Sequence, residues 1–421
     1  MKALIQLVML FGWGTLQAQE AAALQSRAKQ VVATLCSPEM HGRGYFENGD
    51  GSAAEWIAEQ YQAMGLRPVK AYYFEPFTFN VNSFPDSVKV ELDGSPLVPG
   101  IDFLVDPSSG SASGTFELVH LTAEVLLQPE RKATVMGSLS GKAACLHFPA
   151  TANADTLQAY RALERELMHY CPVVRAATGK LTWGTAQEAM RFPLVEVTGD
   201  QLTEANRTIR IEVRNSLLVK HQARNVLGTI KGKGKKWVII GAHYDHLGQM
   251  GPDVLFPGAN DNASGVAMLL SLADHFSKFK PKHNLLFAAF AGEEAGLVGS
   301  EWCAVDRPIN LPDVKMMLNL DILGTGDDGI MVVNATEQQV AYDLLVKING
   351  KKNYLKEVKS RGPACNSDHC PFVKRGVPGI FVYTLGGIAA YHDVLDKAET
   401  LPLNEFADLH FLLRDFIDQL K

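Results

Sequence analysis

The sequence has no long block of like charges and, after its first eighteen residues, no uninterrupted apolar run long enough to span a bilayer. Its net charge of -6 comes from interspersed acidic and basic residues. That pattern gives no indication of a nucleic-acid partner or of binding to an anionic membrane. The short basic run 231–236 precedes a predicted strand, and we interpret it as a solvated turn.

Cysteine is also scarce, and none of the six cysteines has the spacing of a zinc ribbon. Only Cys365 and Cys370 are close together in sequence. In an exported protein they could form a disulfide, or they could be two unrelated small buried residues, and the sequence leaves both interpretations open.

The composition is that of a folded protein with enough apolar residues for two domains. The chain has 421 residues, of which 47% are hydrophobic and 20% are charged, together with 36 Gly and 20 Pro. These values exclude the disordered and fibrous classes.

The first eighteen residues have the layout of a secretory signal. MKALIQLVMLFGWGTLQA has one lysine, an apolar middle and a small residue, Ala18, at its end. A membrane anchor or a buried first helix is the alternative, but the apolar part is short and Gly12 and Gly14 interrupt it. We therefore expect cleavage near Ala18, export to the periplasm or the medium, and no stable membrane insertion of the mature chain.

The remaining chain divides into three parts. Residues 19–78 carry two predicted helices, and the second, SAAEWIAEQYQAMG, has Ser52 at the N-cap position and Gly65 as its end. Residues 221–421 alternate apolar strands with helices, which predicts an α/β fold with a mixed, mostly parallel sheet flanked by helices. The segment 19–78 is expected to join that sheet domain.

Residues 79–220 differ in character from the parts on either side. Short alternating runs such as SVKVEL, GTFELVHL, KAACLHF and TIRIEVRN predict a β-rich inserted domain, interrupted by one helix at 155–170. No group of His, Asp or Glu with ligand spacing stands out there. We expect the insert to shape access to a site or to bind a partner, and its deletion to leave the metal ligands in place.

The candidate site residues follow predicted strands of the sheet domain. His243 and Asp245 come after the apolar run 237–240, Glu293 and Glu294 after 285–290, and Asp321 after 316–320. Since open α/β sheets bind ligands at the carboxyl ends of their strands, these groups are expected to share one edge.

Histidine and carboxylate side chains are typical zinc ligands. If His243 and Asp321 hold one ion, Glu294 and His392 the other, and Asp261 bridges them, three carboxylates and a hydroxide neutralise two Zn²⁺ ions. Each motif alone has an ordinary explanation, for instance a helix cap at DNAS or a solvated Glu-Glu pair. Their order and their placement at strand ends favour a two-zinc hydrolase.

Six motifs resemble those of the two-zinc aminopeptidases of the aminopeptidase S and aminopeptidase Y type: GAHYDHLG, ANDNASG, AGEEAGLVGS, NLDILG, SDHCPFVKRGVPGIFVY and YHDVLDKAETL. The resemblance implies the zinc exopeptidase fold and the same ligand set: His243, Asp261, Glu294, Asp321 and His392. It also implies that Glu293 is the general base and that Asp245 orients His243. More weakly, the insert resembles a protease-associated domain.

The resemblance implies an exported zinc aminopeptidase that uses two Zn²⁺ ions and acts on peptide substrates. A carboxypeptidase or a glutaminyl cyclase on the same fold is an alternative, as is a non-catalytic receptor-like relative. All the ligand positions are present, which favours an enzyme. The oligomeric state, the preferred N-terminal residue and the physiological metal stay open.

Overall fold

The computed structural model of the protein describes residues 2–122, 128–148 and 153–421, with the backbone alone for residues 2–17. Helix α1 runs through Lys2–Leu35, so it includes most of the predicted signal segment. Since the side chains of that segment lie outside the described part, export stays a prediction. A search of the described residues finds no helix with the length and apolar character needed to cross a membrane.

A mixed sheet of nine strands is the centre of the described structure. Its strands are β1 (Arg67–Pro68), β2 (Phe74–Ser83), β11 (Ser216–Ile230), β12 (Trp237–His243), β15 (Asn284–Phe290), β16 (Val314–Leu320), β17 (Ile330–Val333), β18 (Val358–Ser360) and β19 (Gly379–Thr384). Their order is β1-β11-β15-β12-β16-β19-β17-β18, and β2 also pairs with β11.

The four central strands of this sheet, β15, β12, β16 and β19, are mutually parallel. All seven residues of β15 are buried, as expected for a strand covered on both faces. The carboxyl ends of these strands therefore meet at one edge of the sheet. The predicted α/β fold with a mixed sheet flanked by helices is confirmed, with four parallel strand pairs and four antiparallel ones.

Helices cover both faces of the main sheet and one face of the insert. In chain order, the other α-helices of the described residues are α2 (Gly49–Ala63), α3 (Pro129–Ser138), α4 (Ala154–Leu167), α5 (Ser264–Lys278), α6 (Val298–Asp306), α7 (Gln339–Lys352), α8 (Cys370–Val373) and α9 (Phe406–Gln419). Residues of α1, α2, α5 and α9 share one large apolar core with the sheet. A smaller core that includes Phe290, Cys303 and Ala304 covers the opposite face.

Helix α2 begins earlier than the sequence predicted. Its first residue is Gly49 and its N-cap is Asn48, which has a positive φ of 59°. Ser52 therefore lies inside the first turn, and its predicted N-cap position is wrong. Asn adopts the left-handed conformation more readily than most residues, which explains how the tight loop before α2 can lead directly into the helix.

The insert contains an eight-stranded sheet of its own. Its strands are β3 (Lys89–Leu92), β4 (Ser95–Pro96), β5 (Phe103–Val105), β6 (Ala112–Thr122), β7 (Ala143–His147), β8 (Val173–Ala176), β9 (Leu194–Val197) and β10 (Thr208–Val213). Strands β6 to β9 are parallel, and residues of α4 pack on one face of them. The described part of the insert is thus rich in strands but also carries two helices, of which the sequence predicted only one.

The insert and the sheet domain share a core. Apolar residues on the inner face of the insert sheet pack with Leu247, Met250 and Phe256 of the sheet domain, close to the short hairpin of β13 (Gly248–Gln249) and β14 (Leu255–Phe256). Strands β2 and β11 of the main sheet also reach into the range 79–220. The insert is therefore anchored on the sheet domain next to the strand ends.

Candidate metal centre

The seven predicted site residues come together at the carboxyl end of the central parallel strands. His243 is the last residue of β12, Asp321 directly follows β16, and Glu293 and Glu294 follow β15 after a two-residue loop. Asp261 lies in the turn before α5. His392 comes from the loop after β19, and Asp245 is two residues beyond His243.

Asp261 contacts both histidines, one with each of its carboxylate oxygens. Its Oδ1 lies 3.3 Å from His243 Nε2, and its Oδ2 lies 3.0 Å from His392 Nε2. His243 Nε2 is also 3.3 Å from Asp321 Oδ1, and His392 Nε2 is 3.3 Å from Glu294 Oε2. The site therefore consists of two sets of candidate ligands that share one carboxylate.

This donor set fits a pair of divalent cations. Zinc binds His nitrogen and carboxylate oxygen at about 2.0 to 2.2 Å, so two ligands of one tetrahedral ion lie about 3.3 Å apart. The observed N···O separations of 3.0 to 3.3 Å agree with that spacing. A carboxylate with one oxygen toward each set is the arrangement that bridges two ions about 3.5 to 4 Å apart.

The electrostatics of the site also favour cations. Burial alone would lower the pKa of His392, but the carboxylates of Glu294 and Asp261 raise that pKa to about 11. Burial likewise opposes a charge on His243, yet Asp321 and Glu293 raise its pKa well above the usual range. Both shifts reflect a strongly negative potential at the two imidazoles, which is the potential that binds metal ions.

Glu293 lies next to this cluster but belongs to neither of the two ligand sets. One of its oxygens lies within 4.8 Å of ligand atoms of His243 and Glu294. Burial, reinforced by the charges of Glu294 and Asp368, raises the pKa of Glu293 well above that of an ordinary glutamate. A carboxyl group in this position is suited to accepting and returning a proton.

Asp245 holds the Glu293–Glu294 pair rather than hydrogen bonding to the ring of His243. Its two carboxylate oxygens accept hydrogen bonds from the backbone amides of Glu293 and Glu294, each at 3.2 Å. The hydroxyl of Tyr45 donates to Asp245 Oδ2 at 2.6 Å. His243 Nδ1 lies 3.2 Å from the backbone carbonyl of Asp245 and 3.9 Å from its carboxylate. Asp245 thus orients His243 through its main chain and the two glutamates through its side chain.

Other residues that sequence reasoning did not single out support individual ligands. His246 Nδ1 lies 2.8 Å from Glu294 Oε1, so Oε2 is left facing His392. The hydroxyl of Ser367 donates to Asp321 Oδ2 at 2.7 Å. The carboxylate of Asp396 accepts the backbone amide of Asp261 at 3.0 Å. His246 and Ser367 lie in the quoted motifs GAHYDHLG and SDH, which is the only sequence signal that could have identified them.

The insert supplies the remaining supports. The backbone amide of Trp183 donates to the carbonyl of His392 at 2.8 Å, and His392 Nδ1 lies 3.0 Å from the carbonyl of Trp183. The hydroxyl of Thr185 donates to the carbonyl of Glu294 at 2.5 Å, and Gln187 Nε2 donates to the carbonyl of Ala295 at 2.7 Å. The segment 183–187 therefore contacts both ligands of one of the two ligand sets.

A cavity of about 310 Å³ opens onto the ligands. Beyond the site residues, its wall consists of Gly296, Leu297, Ile322, Cys365, Asn366, Phe381 and Tyr391. Cys365 and Cys370 are joined by a disulfide, so the bond predicted as one of two possibilities is present and closes the loop at the rim. Asp368 and His369 lie within this loop and are completely buried, and His369 Nε2 lies 2.8 Å from the carbonyl of Ala364.

Comparison with known proteins agrees with this geometry. The model of peptidase family M28 matches residues 225–417. A probable zinc metalloprotease of Pyrenophora tritici-repentis is 34% identical over 165 residues, which cover 37% of this chain and 37% of that protein. A probable leucine aminopeptidase of Arthroderma otae is 31% identical over 203 residues, covering 45% and 56%. The chain thus matches about a third to a half of the length of these relatives.

Nearly the whole chain has a counterpart among solved structures. The crystal structure of a peptidase M28 precursor from Shewanella amazonensis SB2B superimposes with a TM-score of 0.74 at 19% identity. The match covers 96% of both chains, so it includes the insert as well as the main sheet. At that identity it demonstrates the shared fold.

Proposed function

We propose, from the premise that residues 225–417 belong to peptidase family M28, that this chain is a two-metal aminopeptidase that removes N-terminal residues from peptides. The observation that carries the proposal is the position of Asp261, whose two oxygens face His243 and His392 respectively. The similarity to proteins named zinc metalloprotease and leucine aminopeptidase supports zinc as the metal.

His243 and Asp321 would hold one ion, Glu294 and His392 the other, and Asp261 both. When bound, the two ions would act as Lewis acids that polarise the scissile carbonyl and the attacking water. Glu293 accepts a proton from that water on a carboxylate oxygen and returns it to the leaving amine. Proton transfer by such a positioned group contributes about 10² to 10⁴-fold to the rate.

The cavity favours substrates with a free amine. Its described lining contains several carboxylates and neither lysine nor arginine, so it offers neither of these two side chains to pair with the terminal carboxylate of a substrate. An N-terminal ammonium group would face Glu293, a carboxyl group of this lining that is not among the residues that would hold the ions. This charge pattern favours an aminopeptidase over a carboxypeptidase.

Peptides blocked at one end test the direction of attack. A peptide with a free amine and an amidated carboxyl end should lose its first residue, whereas its N-acetylated counterpart with a free carboxyl end should stay intact. Mass spectrometry of the products identifies the bond that is cut. Release of the last residue from the acetylated peptide would demonstrate a carboxypeptidase, and loss of ammonia from an N-terminal glutamine without hydrolysis would demonstrate a cyclase.

The wall of the cavity also indicates which first residue is preferred. Leu297, Ile322 and Phe381 present apolar side chains beside the ligands. Since burying an apolar side chain contributes about 1.5 to 3 kcal/mol, leucyl and phenylalanyl chromogenic substrates should have higher kcat/KM values than glutamyl or aspartyl ones. An acidic preference in the same screen would contradict this assignment.

We also propose export, to the periplasm or the medium. The layout of residues 1–18 supports a secretory signal. The disulfide between Cys365 and Cys370 supports an oxidising compartment, where such bonds persist. N-terminal sequencing of the protein recovered from cell fractions tests this: a mature chain beginning near Gln19 outside the cytoplasm is expected, and a cytoplasmic chain that keeps residues 1–18 would refute it.

A further inference from the structure

The insert brings two histidines and a cysteine together at the ends of two neighbouring strands. His120 lies on β6, and Cys145 and His147 lie on β7. The strands are parallel, with His120 opposite Cys145 in the register. Since side chains alternate along a strand, His120, Cys145 and His147 all project from the same face of the insert sheet. Sequence reasoning did not single out this group, because His120 is 25 residues away from Cys145.

The three side chains converge closely enough to bind one ion. Their potential ligand atoms all lie within 4.8 Å of one another. His120 Nδ1 is 2.8 Å from His147 Nε2, and Cys145 Sγ is 3.6 Å from His147 Nε2. A tetrahedral zinc ion with Zn–S near 2.3 Å and Zn–N near 2.0 Å separates S and N ligands by about 3.6 Å and two N ligands by about 3.3 Å. The two nitrogens would have to move apart by about half an ångström.

The ring nitrogen of His120 that points away from His147 is hydrogen-bonded in the way that is usual for a metal-ligating histidine. Its Nε2 lies 2.8 Å from the backbone carbonyl of Asn206. A carbonyl oxygen can only accept, so Nε2 carries the hydrogen and Nδ1 of the neutral ring has a lone pair directed at His147 and Cys145. Hydrogen bonding of the second ring nitrogen to a carbonyl is the common support of ligating histidines.

A hydrogen-bonded histidine pair is the alternative explanation, and it accounts for less of the geometry. One N–H from His147 Nε2 could be donated to His120 Nδ1. The completely buried sulfur of Cys145 would then lie beside an N–H group of His147 that already donates to His120. A cation satisfies all three groups at once. Thiolate together with imidazole favours zinc over magnesium or calcium.

We propose that His120, Cys145 and His147 form a third metal site, separate from the peptidase centre, that binds Zn²⁺ with a water molecule as the fourth ligand. Such a site would tie the end of β6 to the end of β7 and so stabilise the insert. It does not depend on the proposed peptidase activity, because none of its three residues belongs to the cavity that contains the two shared ligand sets.

Cobalt substitution of the full-length protein separates the two centres. The chain is stripped with a chelator, dialysed against Co²⁺ and examined by absorption spectroscopy, with metal content measured in parallel. A thiolate bound to Co²⁺ gives an intense charge-transfer band in the near ultraviolet. The predicted ligands of the peptidase centre are histidines and carboxylates, so the band reports on the insert alone. The expected result is this band together with three ions per chain.

Two variants and a control complete the test. Cys145→Ser should abolish the band and reduce the content to two ions per chain, and His120→Gln should weaken Co²⁺ binding at this site while leaving the thiol in place. Cys171→Ser is the matched control, because Cys171 is another buried cysteine of the insert and is absent from the metal-capable groups of the described residues. Absence of a thiolate band from the wild-type protein, or its persistence in folded Cys145→Ser, would overturn the proposal.

Discussion

Trp183 and His392 are joined by two hydrogen bonds between the insert and the metal centre. The backbone amide of Trp183 donates to the carbonyl of His392 at 2.8 Å, and His392 Nδ1 donates to the carbonyl of Trp183 at 3.0 Å. The second bond places the hydrogen of a neutral His392 ring on Nδ1 and leaves Nε2 free to face Asp261 and Glu294. The insert thus sets the tautomer of a candidate metal ligand.

This relationship changes what deletion of the insert should do. Replacing residues 79–220 by a short linker removes Trp183 and Thr185, so His392 loses the acceptor for Nδ1 and the Glu294 carbonyl loses its donor. The deletion variant should bind one ion far more weakly than the other. Metal analysis checks this, and retention of both ions at full affinity would support the sequence-based expectation that the ligands do not need the insert.

A point substitution tests the same contact in an intact chain. The indole of Trp183 donates to the carbonyl of Val105 at 2.7 Å and stacks on Phe256 with ring centroids 4.6 Å apart. Trp183→Ala should free the segment that holds His392 and weaken metal binding about tenfold or more, roughly the effect of losing a support of a ligand. Trp302→Ala is the control, because Trp302 is 44% exposed and lies on α6. Equal metal affinities of both variants would contradict this role.

Glu293 and Glu294 are chemically identical neighbours that differ in position. Glu293→Gln should keep both ions and the fold but lower kcat by about 10² to 10⁴-fold, because the amide cannot accept a proton. Glu294→Gln should instead weaken the binding of one ion, since Glu294 Oε2 belongs to the ligand set of His392. Metal content and kcat are measured for the two variants side by side. Loss of metal in Glu293→Gln with full retention in Glu294→Gln would reverse the assignment.

Because Asp261 contacts both histidines, its substitution should affect metal binding differently from substitution of the other predicted ligands. A chelator should abolish hydrolysis, and activity should return when the two ions of the peptidase centre are added back. Asp261→Ala should weaken the binding of both ions, because the two oxygens of Asp261 face different histidines. Asp321→Ala should weaken the binding of one ion, because the Asp321 carboxylate contacts only one of these two histidines, His243. Stepwise Zn²⁺ titration of the two variants distinguishes these outcomes, and identical titrations would argue against a bridging carboxylate.

The clustering of several candidate ligands could be predicted from the sequence because they follow recognisable strands. His243 and Asp321 come at the ends of apolar strands, and parallel strands bring their carboxyl ends together. Trp183, Tyr45 and the group around His120 could not be predicted, since their contacts join segments that are distant in the chain. Tyr45 reaches Asp245 across 200 residues, and no local pattern encodes that proximity.

Helix α9 carries a buried histidine, His410, that predicts how the stability of the fold depends on pH. His410 is 1% exposed, and burial, together with the charges of His275 and Arg414, lowers its pKa to about 3. In the unfolded chain a histidine has a pKa near 6.5, so between about pH 6.5 and 3 the unfolded state binds one more proton at this position. His410 therefore contributes stability above about pH 6.5 that is lost progressively as the pH falls toward 3.

The variant His410→Leu should reduce this loss of stability in acid. The variant takes up one proton fewer on unfolding. Its free energy of unfolding should therefore fall less steeply with decreasing pH, by up to about 1.4 kcal/mol per pH unit. Urea denaturation between pH 7 and pH 4.5 measures the slope for the wild type and the variant. His169→Leu serves as the control, because His169 is exposed at the end of α4 and its replacement should leave the slope unchanged. If His410→Leu and wild type lose stability in parallel over this range, His410 is not a source of the acid sensitivity.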